Sequence, residues 1–231
     1  MSNWLSSSLF YGAVISIAAY EAGLLIRRRF KLAVLNPLLL GVIIVIGVNA
    51  ILGIDYQSYN GGAQYLSYLL TPTTVRLAVP MYEQLTLLKE NWKAVVSGLL
   101  AGVLSSMGSV WALSVLFRLD HTMYVTLLPK SITTAIGMGI SEELGGYVSI
   151  TIAAIVLSGI LGNIFAASFC RLFKITEPIA VGVAIGTSSH AIGTTKALEI
   201  GAVEGAMSSL SIVVAGLLTV VGAPIFANFI A

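Results

Sequence analysis

The stretch from Ala180 to Leu210, AVGVAIGTSSHAIGTTKALEIGAVEGAMSSL, does most to limit what this chain can fold into. It begins as an apolar run of the kind that crosses a bilayer. About halfway along it becomes Gly186-Thr187-Ser188-Ser189-His190-Ala191-Ile192-Gly193-Thr194-Thr195. Lipid offers no hydrogen-bond partner to a loosened backbone, so non-helical chain at this depth is tolerated only inside protein or beside a water-filled cavity. His190 stands close to the middle of the segment Ala180 to Leu198. Gly, Ser and Thr at that depth would expose backbone N–H and C=O groups, add hydroxyls and leave room for something small. This is the pattern of a substrate site, with the rest of the chain as its scaffold.

Composition supports the membrane setting. The chain is 57% hydrophobic and 10% charged, whereas soluble domains carry about 25% charged residues. With roughly 20 apolar residues per spanning helix, the 231 residues hold about seven or eight segments and no separate soluble domain. The expected fold is an all-α polytopic membrane protein, a single integral membrane domain over residues 1–231. A net charge of +2 is too small to suggest nucleic acid as a partner. The basic residues sit mostly at segment ends, where snorkelling accounts for them. Cys170 is the only cysteine, which rules out an internal disulfide and a cysteine-based metal cluster.

The apolar segments run Leu9–Ile26, Leu35–Leu52, Gln64–Leu88, Ala94–Phe117, Met123–Ile140, Tyr147–Phe173, Ala180–Leu198 and Ala206–Ile230. Charge follows the first segment, at Arg27, Arg28, Arg29 and Lys31, and none precedes it, the reverse of a cleavable signal. The positive-inside rule then puts this cluster in the cytoplasm, with Lys89 and Lys93, and the N-terminus outside. Glu21 is expected to snorkel toward the arginines. Asp55–Gly62 reads as a polar loop with Tyr56 and Tyr59 as interfacial anchors. The third segment reads as a broken helix, with Thr71-Pro72-Thr73-Thr74 and Pro80 on either side of Arg76. The fifth is interrupted by Pro129-Lys130-Ser131-Ile132-Thr133-Thr134.

The fourth segment carries Gly98 and Gly102, a GxxxG that lets helices approach closely. The eighth has a helical stripe of Glu204, Ser208, Ser211, Ala215, Thr219 and Gly222, expected to face the broken segment before it. Interrupted Pro/Thr/Gly segments alternate with smooth, small-residue helices. Short words recur with that alternation (Ser97-Gly98-Leu99-Leu100, Ser158-Gly159-Ile160-Leu161), suggesting the internal repeats on which secondary transporters are built.

Three interrupted segments each hold one ionisable residue near mid-depth: Arg76, Lys130 and His190. Charge in the bilayer core is costly and normally faces the bundle interior or a cavity. All three can be positive, and helix N-termini add further partial positive charge. The fitting occupant is a small organic anion such as a carboxylate, with Glu143 or Glu204 neutralising the site or relaying a proton. Each residue singly is more often a satisfied structural group than a ligand; their joint placement beside helix breaks carries the functional reading. Catalysis is disfavoured. Ser188 and Ser189 adjoin His190, but no GxSxG elbow, HExxH, P-loop or EF-hand pattern occurs, and no cofactor or metal site is indicated.

Several of these motifs resemble the LrgB/CidB family. They are Asn36-Pro37-Leu38-Leu39, Pro129-Lys130-Ser131-Ile132-Thr133-Thr134, Gly145-Gly146, Gly186-Thr187-Ser188-Ser189-His190-Ala191-Ile192-Gly193-Thr194 and Glu204-Gly205-Ala206. The resemblance covers nearly the whole chain. These are antiholin-like membrane proteins of bacteria, and the plastidic glycolate/glycerate translocator of plants carries a related domain. One departure is Arg76, where the family pattern has a small or uncharged residue.

The resemblance implies a multi-pass protein of the bacterial cell membrane. It also implies one of two roles: transport of small monocarboxylates such as pyruvate, glycolate or glycerate, or antiholin-like regulation of murein hydrolase export and autolysis. A homodimer and a small LrgA/CidA-type membrane partner are expected with it. The breaks at mid-depth favour transport. The substrate site is then expected on Lys130, Ser131, Thr133, Thr134, Gly186, Thr187, Ser189, His190, Gly193 and Thr194, with Arg76, Glu143 and Glu204 in gating or coupling.

Overall fold

A computed structural model describes residue 8, residues 10–30 and residues 35–230, except for the side chains of residues 70, 71, 73, 74, 77 and 81. Leu9, Lys31 and the side chains of the threonines around Pro72 therefore lie outside what is described. The described residues form helices and connecting turns, with no strand among them. They fall into two compact units that divide between Arg76 and Leu77.

The first unit is built on α1 (Tyr11–Phe30) and α2 (Pro37–Leu52). Asn36 opens α2 by accepting from the backbone N–H groups of Leu38 and Leu39. Pro37 occupies the first helical position, where its missing N–H costs nothing. Gly53 closes the helix at φ 65°, a left-handed conformation that suits a residue without Cβ. Tyr11 donates to Asn49 Oδ1 at 2.7 Å, and Ser16 Oγ lies 2.8 Å from the Tyr59 hydroxyl.

The expected polar loop at Asp55–Gly62 is instead a helix, α3 (Tyr56–Ala63). Asp55 caps it by accepting from the Ser58 backbone at 2.8 Å and the Ser58 hydroxyl at 2.9 Å, contacts that hold its carboxyl below the usual carboxylate range. Gly12 of α1 accepts the close approach of the α3 backbone at Tyr59. Glu21 is exposed, consistent with a side chain reaching out of its helix.

The expected double break in the third segment is also corrected. A 3-10 turn (Gln64–Leu69) leads into α4 (Leu70–Glu83), which runs on through Pro80; the chain breaks at Gln84, before α5 (Leu85–Glu90). Pro72 falls in the first turn, where N–H groups have no intrahelical partner to lose. Pro80 removes one backbone hydrogen bond without ending the helix.

In the second unit, α6 (Trp92–Phe117), α9 (Val148–Leu172) and α11 (Ala202–Ala227) each combine membrane length with sustained apolarity. They are the three such helices among the described residues. Shorter or interrupted elements precede α9 and α11: α7 (His121–Leu127) and α8 (Thr134–Glu143) come before α9, and α10 (Pro178–Ile200) comes before α11. The fifth segment is therefore broken where Pro129-Lys130-Ser131 predicted.

A polar knot fixes that break. Thr151 Oγ1 donates to the Thr126 carbonyl at 2.8 Å and lies 2.7 Å from Ser141 Oγ, while the Tyr147 backbone donates to Thr126 Oγ1 at 2.8 Å. Gly146 sits against Thr126 and Ser141, where a Cβ would lie 2.6 Å from Ser141 Oγ. Tyr124, fully buried, donates to the Phe226 carbonyl at 2.8 Å and so ties α7 to the end of α11.

The seventh segment corrects the largest expectation. The run Gly186–Thr194 is helical apart from one residue, His190, at φ 42° and ψ −141°. The Gly/Ser/Thr composition serves close packing more than unwinding. Gly182 and Gly186 bring α10 against α11 at Glu204, Met207, Ser208 and Ser211, so the first half of the polar stripe of α11 faces α10, whereas Gly222, at its far end, meets Met107 of α6. Thr194 Oγ1 lies 2.7 Å from Ser208 Oγ in this contact. The GxxxG glycines work within the chain: a Cβ on Gly102 would sit 2.9 Å from Thr187 Oγ1, and one on Gly98 would sit 3.3 Å from Val183.

A Cβ at Gly186 would stand 2.5 Å from the Ser208 carbonyl oxygen, whereas one at Gly108 meets nothing within 4 Å. Gly186→Ala is therefore expected to destabilise the protein by about 1–3 kcal/mol. Gly108→Ala should be neutral or slightly stabilising, because it raises helix propensity. Thermal unfolding of the two purified variants, followed by loss of the monodisperse peak, checks both; equal melting would contradict the packing assignment.

Candidate functional site

Lys130 lies in the turn between α7 and α8, half-buried, with no carboxylate within ion-pair distance among the described residues. Its Nζ donates to Ser131 Oγ at 2.8 Å. Ser106 of α6 donates to the same oxygen at 2.9 Å. Ser131, buried, thus accepts twice and fixes the lysine head against α6.

Two clefts meet at this lysine. One, of about 560 Å³, is lined by hydroxyls from α6 (Ser105, Ser106, Ser109), by Ser131, and by Thr187 and Ser188 of α10. Asn91 and the exposed Glu177 also line it. The other, of about 570 Å³, runs between α9 and α10 and is lined mainly by Leu161, Phe165, Ala166, Phe169 and Phe173. Lys130, Ala184 and Ser188 line both. A cation without a carboxylate partner at the meeting of a hydroxyl-rich and an apolar cleft can hold an anion, and both volumes are in the range of small-ligand sites.

His190 marks the break in α10 and lines neither cleft. Its ring Nε2 lies 3.0 Å from the Ile155 carbonyl of α9. The ring is thereby engaged with backbone, away from either neighbouring serine as a catalytic partner. Gly159 makes room for it, since a Cβ there would be 2.8 Å from the imidazole, and Gly162 does the same for Ser189. Asn163, on the same helix, donates to the Ile192 carbonyl at 2.8 Å just beyond the break. Ser188 Oγ and Ser189 Oγ, 3.0 Å apart, point into the clefts from the turn before it.

Of the expected site residues, the structure brings Lys130, Ser131, Thr187 and Ser189 to the clefts. Gly186, His190, Gly193 and Thr194 are buried behind them and line neither cleft. Thr133 is the N-cap position of α8 and Thr134 its first residue, both half-buried and likewise outside the clefts. Glu143 is exposed at the end of α8, and Glu204 folds over Gly201 in the first turn of α11. Arg76 is exposed and belongs to the first unit.

The residues not assigned in advance are Ser105, Ser106 and Ser109, together with Ser188. Gly98, Gly102, Ser105 or Ser106, and Ser109 recur at helical spacing along α6. That periodicity was available in the sequence as a polar continuation of the GxxxG face.

Fold and site together define a helical membrane protein with a polar, cationic junction held by interrupted helices. The LrgB-like family matches residues 16–229, and the chain belongs to that family. It is 34% identical over 224 residues to the antiholin-like protein LrgB of Bacillus subtilis strain 168, covering 96% of this chain and 97% of that protein. It is 33% identical to proteins of the same name from Bacillus mycoides strain KBAB4 and Bacillus cereus strain B4264, over 96% of each chain. No solved structure matches.

The strain at His190 gives a direct check. A non-glycine residue at this φ and ψ costs about 1–3 kcal/mol, and its hydrogen bond returns about 1 kcal/mol. His190→Ala loses the bond and keeps the strain, whereas His190→Gly loses both. His190→Gly should therefore unfold at a higher temperature than His190→Ala. The reverse order would place the break elsewhere.

Proposed function

We propose that this protein acts as an antiholin-like membrane protein, restraining murein hydrolase export and autolysis from the plasma membrane of its bacterium. The observation that carries this reading is the family match, with relatives of that name similar over 96% of the chain. The chain then crosses the membrane about seven or eight times, with its broken and smooth helices arranged as repeats and its work done as a homodimer beside a small LrgA/CidA-type partner. Expression in a Bacillus subtilis strain lacking its own LrgB should restore the normal, slower rate of detergent-triggered lysis. An unchanged lysis rate with correctly inserted protein would overturn the reading.

A second reading is favoured by one structural observation, the unpaired Lys130 at the junction of two clefts. On this reading the protein carries small monocarboxylates of the pyruvate, glycolate or glycerate type. Lys130 holds the carboxylate and Ser131 donates its hydroxyl to it, while Thr187 and Ser188 add theirs by turning from the backbone carbonyls of Val183 and Ala184. Four other expected residues act behind the site: His190, Gly186, Gly193 and Thr194 by holding the break in α10 and its packing. Both readings hold together if anion flux sets the tendency to lyse. In proteoliposomes containing this protein alone, uptake of labelled pyruvate or glycolate should saturate. Lys130→Gln should reduce it by at least about tenfold, the loss of roughly 1.4 kcal/mol of charge-assisted binding; Lys130→Arg should retain part of it. Saturable uptake that survives Lys130→Gln would remove Lys130 from the site.

A further inference from the structure

The two clefts at Lys130 are chemically unlike, and that difference bears on what the lysine holds. The α6 side offers serine and threonine hydroxyls. The α9 side offers mainly hydrocarbon, Leu161, Phe165, Ala166 and Phe169, with Ser158, Ser188 and Ser189 also on its lining. Phe165, Phe169 and Phe173 recur every four residues along α9, and successive rings lie 6.3 Å apart by centroid. Phe165 and Phe169 are 43% and 54% exposed, and both line the cleft. A carboxylate on a two- or three-carbon acid would satisfy Lys130 and leave the whole of this cleft unused.

We propose that the cleft between α9 and α10 is a subsite for an apolar tail, so that the site takes aliphatic monocarboxylates with the head on Lys130 and the chain along Leu161, Phe165 and Phe169. The proposal rests on the reading of Lys130 as an anion site and extends its substrate class. Charge complementarity fixes the head, since among the described residues Lys130 is the only basic one lining either cleft. Burial of methylene groups against the phenyl rings drives the tail, at about 0.8 kcal/mol for each CH₂ fully removed from water. Ser188, which lines both clefts, stands beside the carboxylate end.

The test is saturable binding of labelled octanoate and of labelled pyruvate to the protein in phosphatidylcholine vesicles, measured against protein-free vesicles. Octanoate is expected to bind at least about tenfold more tightly than pyruvate, a difference of roughly 1.4 kcal/mol. Unlabelled octanol, which has the tail without the charge, should fail to displace it. Lys130→Gln should abolish octanoate binding and Lys130→Arg should keep it. Ala166→Leu, which fills the apolar cleft and leaves the lysine in place, should weaken it. Pyruvate binding without saturable octanoate binding overturns the tail subsite and leaves the anion site standing. Failure of both ligands with folded protein overturns both. Octanoate binding that survives Lys130→Gln, or that octanol displaces equally well, also overturns the proposal, because apolar partition alone would then explain it.

Discussion

The structure depends on how α10 interrupts its backbone without leaving polar groups stranded. Inside lipid, an unsatisfied N–H or C=O costs several kcal/mol, so a break needs protein around it. The neighbouring helix α9 supplies that protein. Its Ile155 carbonyl meets the His190 ring, its Asn163 amide meets the Ile192 carbonyl, and Gly159 and Gly162 let both approaches happen. On the opposite side, Gly182 and Gly186 press α10 onto α11. One strained residue is thus held from two sides, and the turn before it delivers Thr187, Ser188 and Ser189 to the clefts.

Much of this was legible in the amino-acid sequence, though not for the reasons first suggested by residue type. The Pro129-Lys130-Ser131 break was readable because proline and a charge in one apolar run leave few other folds. The small-residue faces of α6 and α11 were readable from helical spacing. By residue type the Gly186–Thr194 stretch reads as unwound, because Gly, Ser and Thr suit loosened chain. The same residues also suit helices packed at close range, where small side chains admit backbone contact and hydroxyls bond back one turn. Thr187 and Ser188 do the latter, at 2.7 Å to Val183 and 2.8 Å to Ala184. Composition does not separate the two uses; the contacts across α9 and α11 do. Likewise, prolines at 72 and 80 look alike in sequence, but position in the helical turn decides what each costs, and here neither ends α4.

Histidine and lysine, equal candidates by depth and charge, end in different roles for a geometric reason. His190 is rigid, short and flanked by glycines on the facing helix, so its ring is captured by a backbone carbonyl. It then serves the architecture. Lys130 has a long, flexible stem, and the polar partner given to it is the hydroxyl of its own neighbour, Ser131. A neutral hydroxyl orients an ammonium group but does not neutralise it.

That distinction bears on why an exchangeable anion suits this site better than a permanent ion pair. A lysine at membrane depth costs about 2.5–3.5 kcal/mol on insertion scales, and a nearby glutamate would offset this more simply than any ligand. Instead the lysine faces two clefts, and the carboxylate on their lining, Glu177, is exposed at the N-cap of α10 and forms no ion pair with it. Water in the clefts can solvate the free ammonium, and an arriving carboxylate gains both its charge and the serine hydroxyls around it. On the transport reading, the incoming carboxylate would bind without first breaking a salt bridge, because the resident partner is weak. The same weakness lets it leave, which a carrier or a sensor of anion level requires and a purely structural lysine does not.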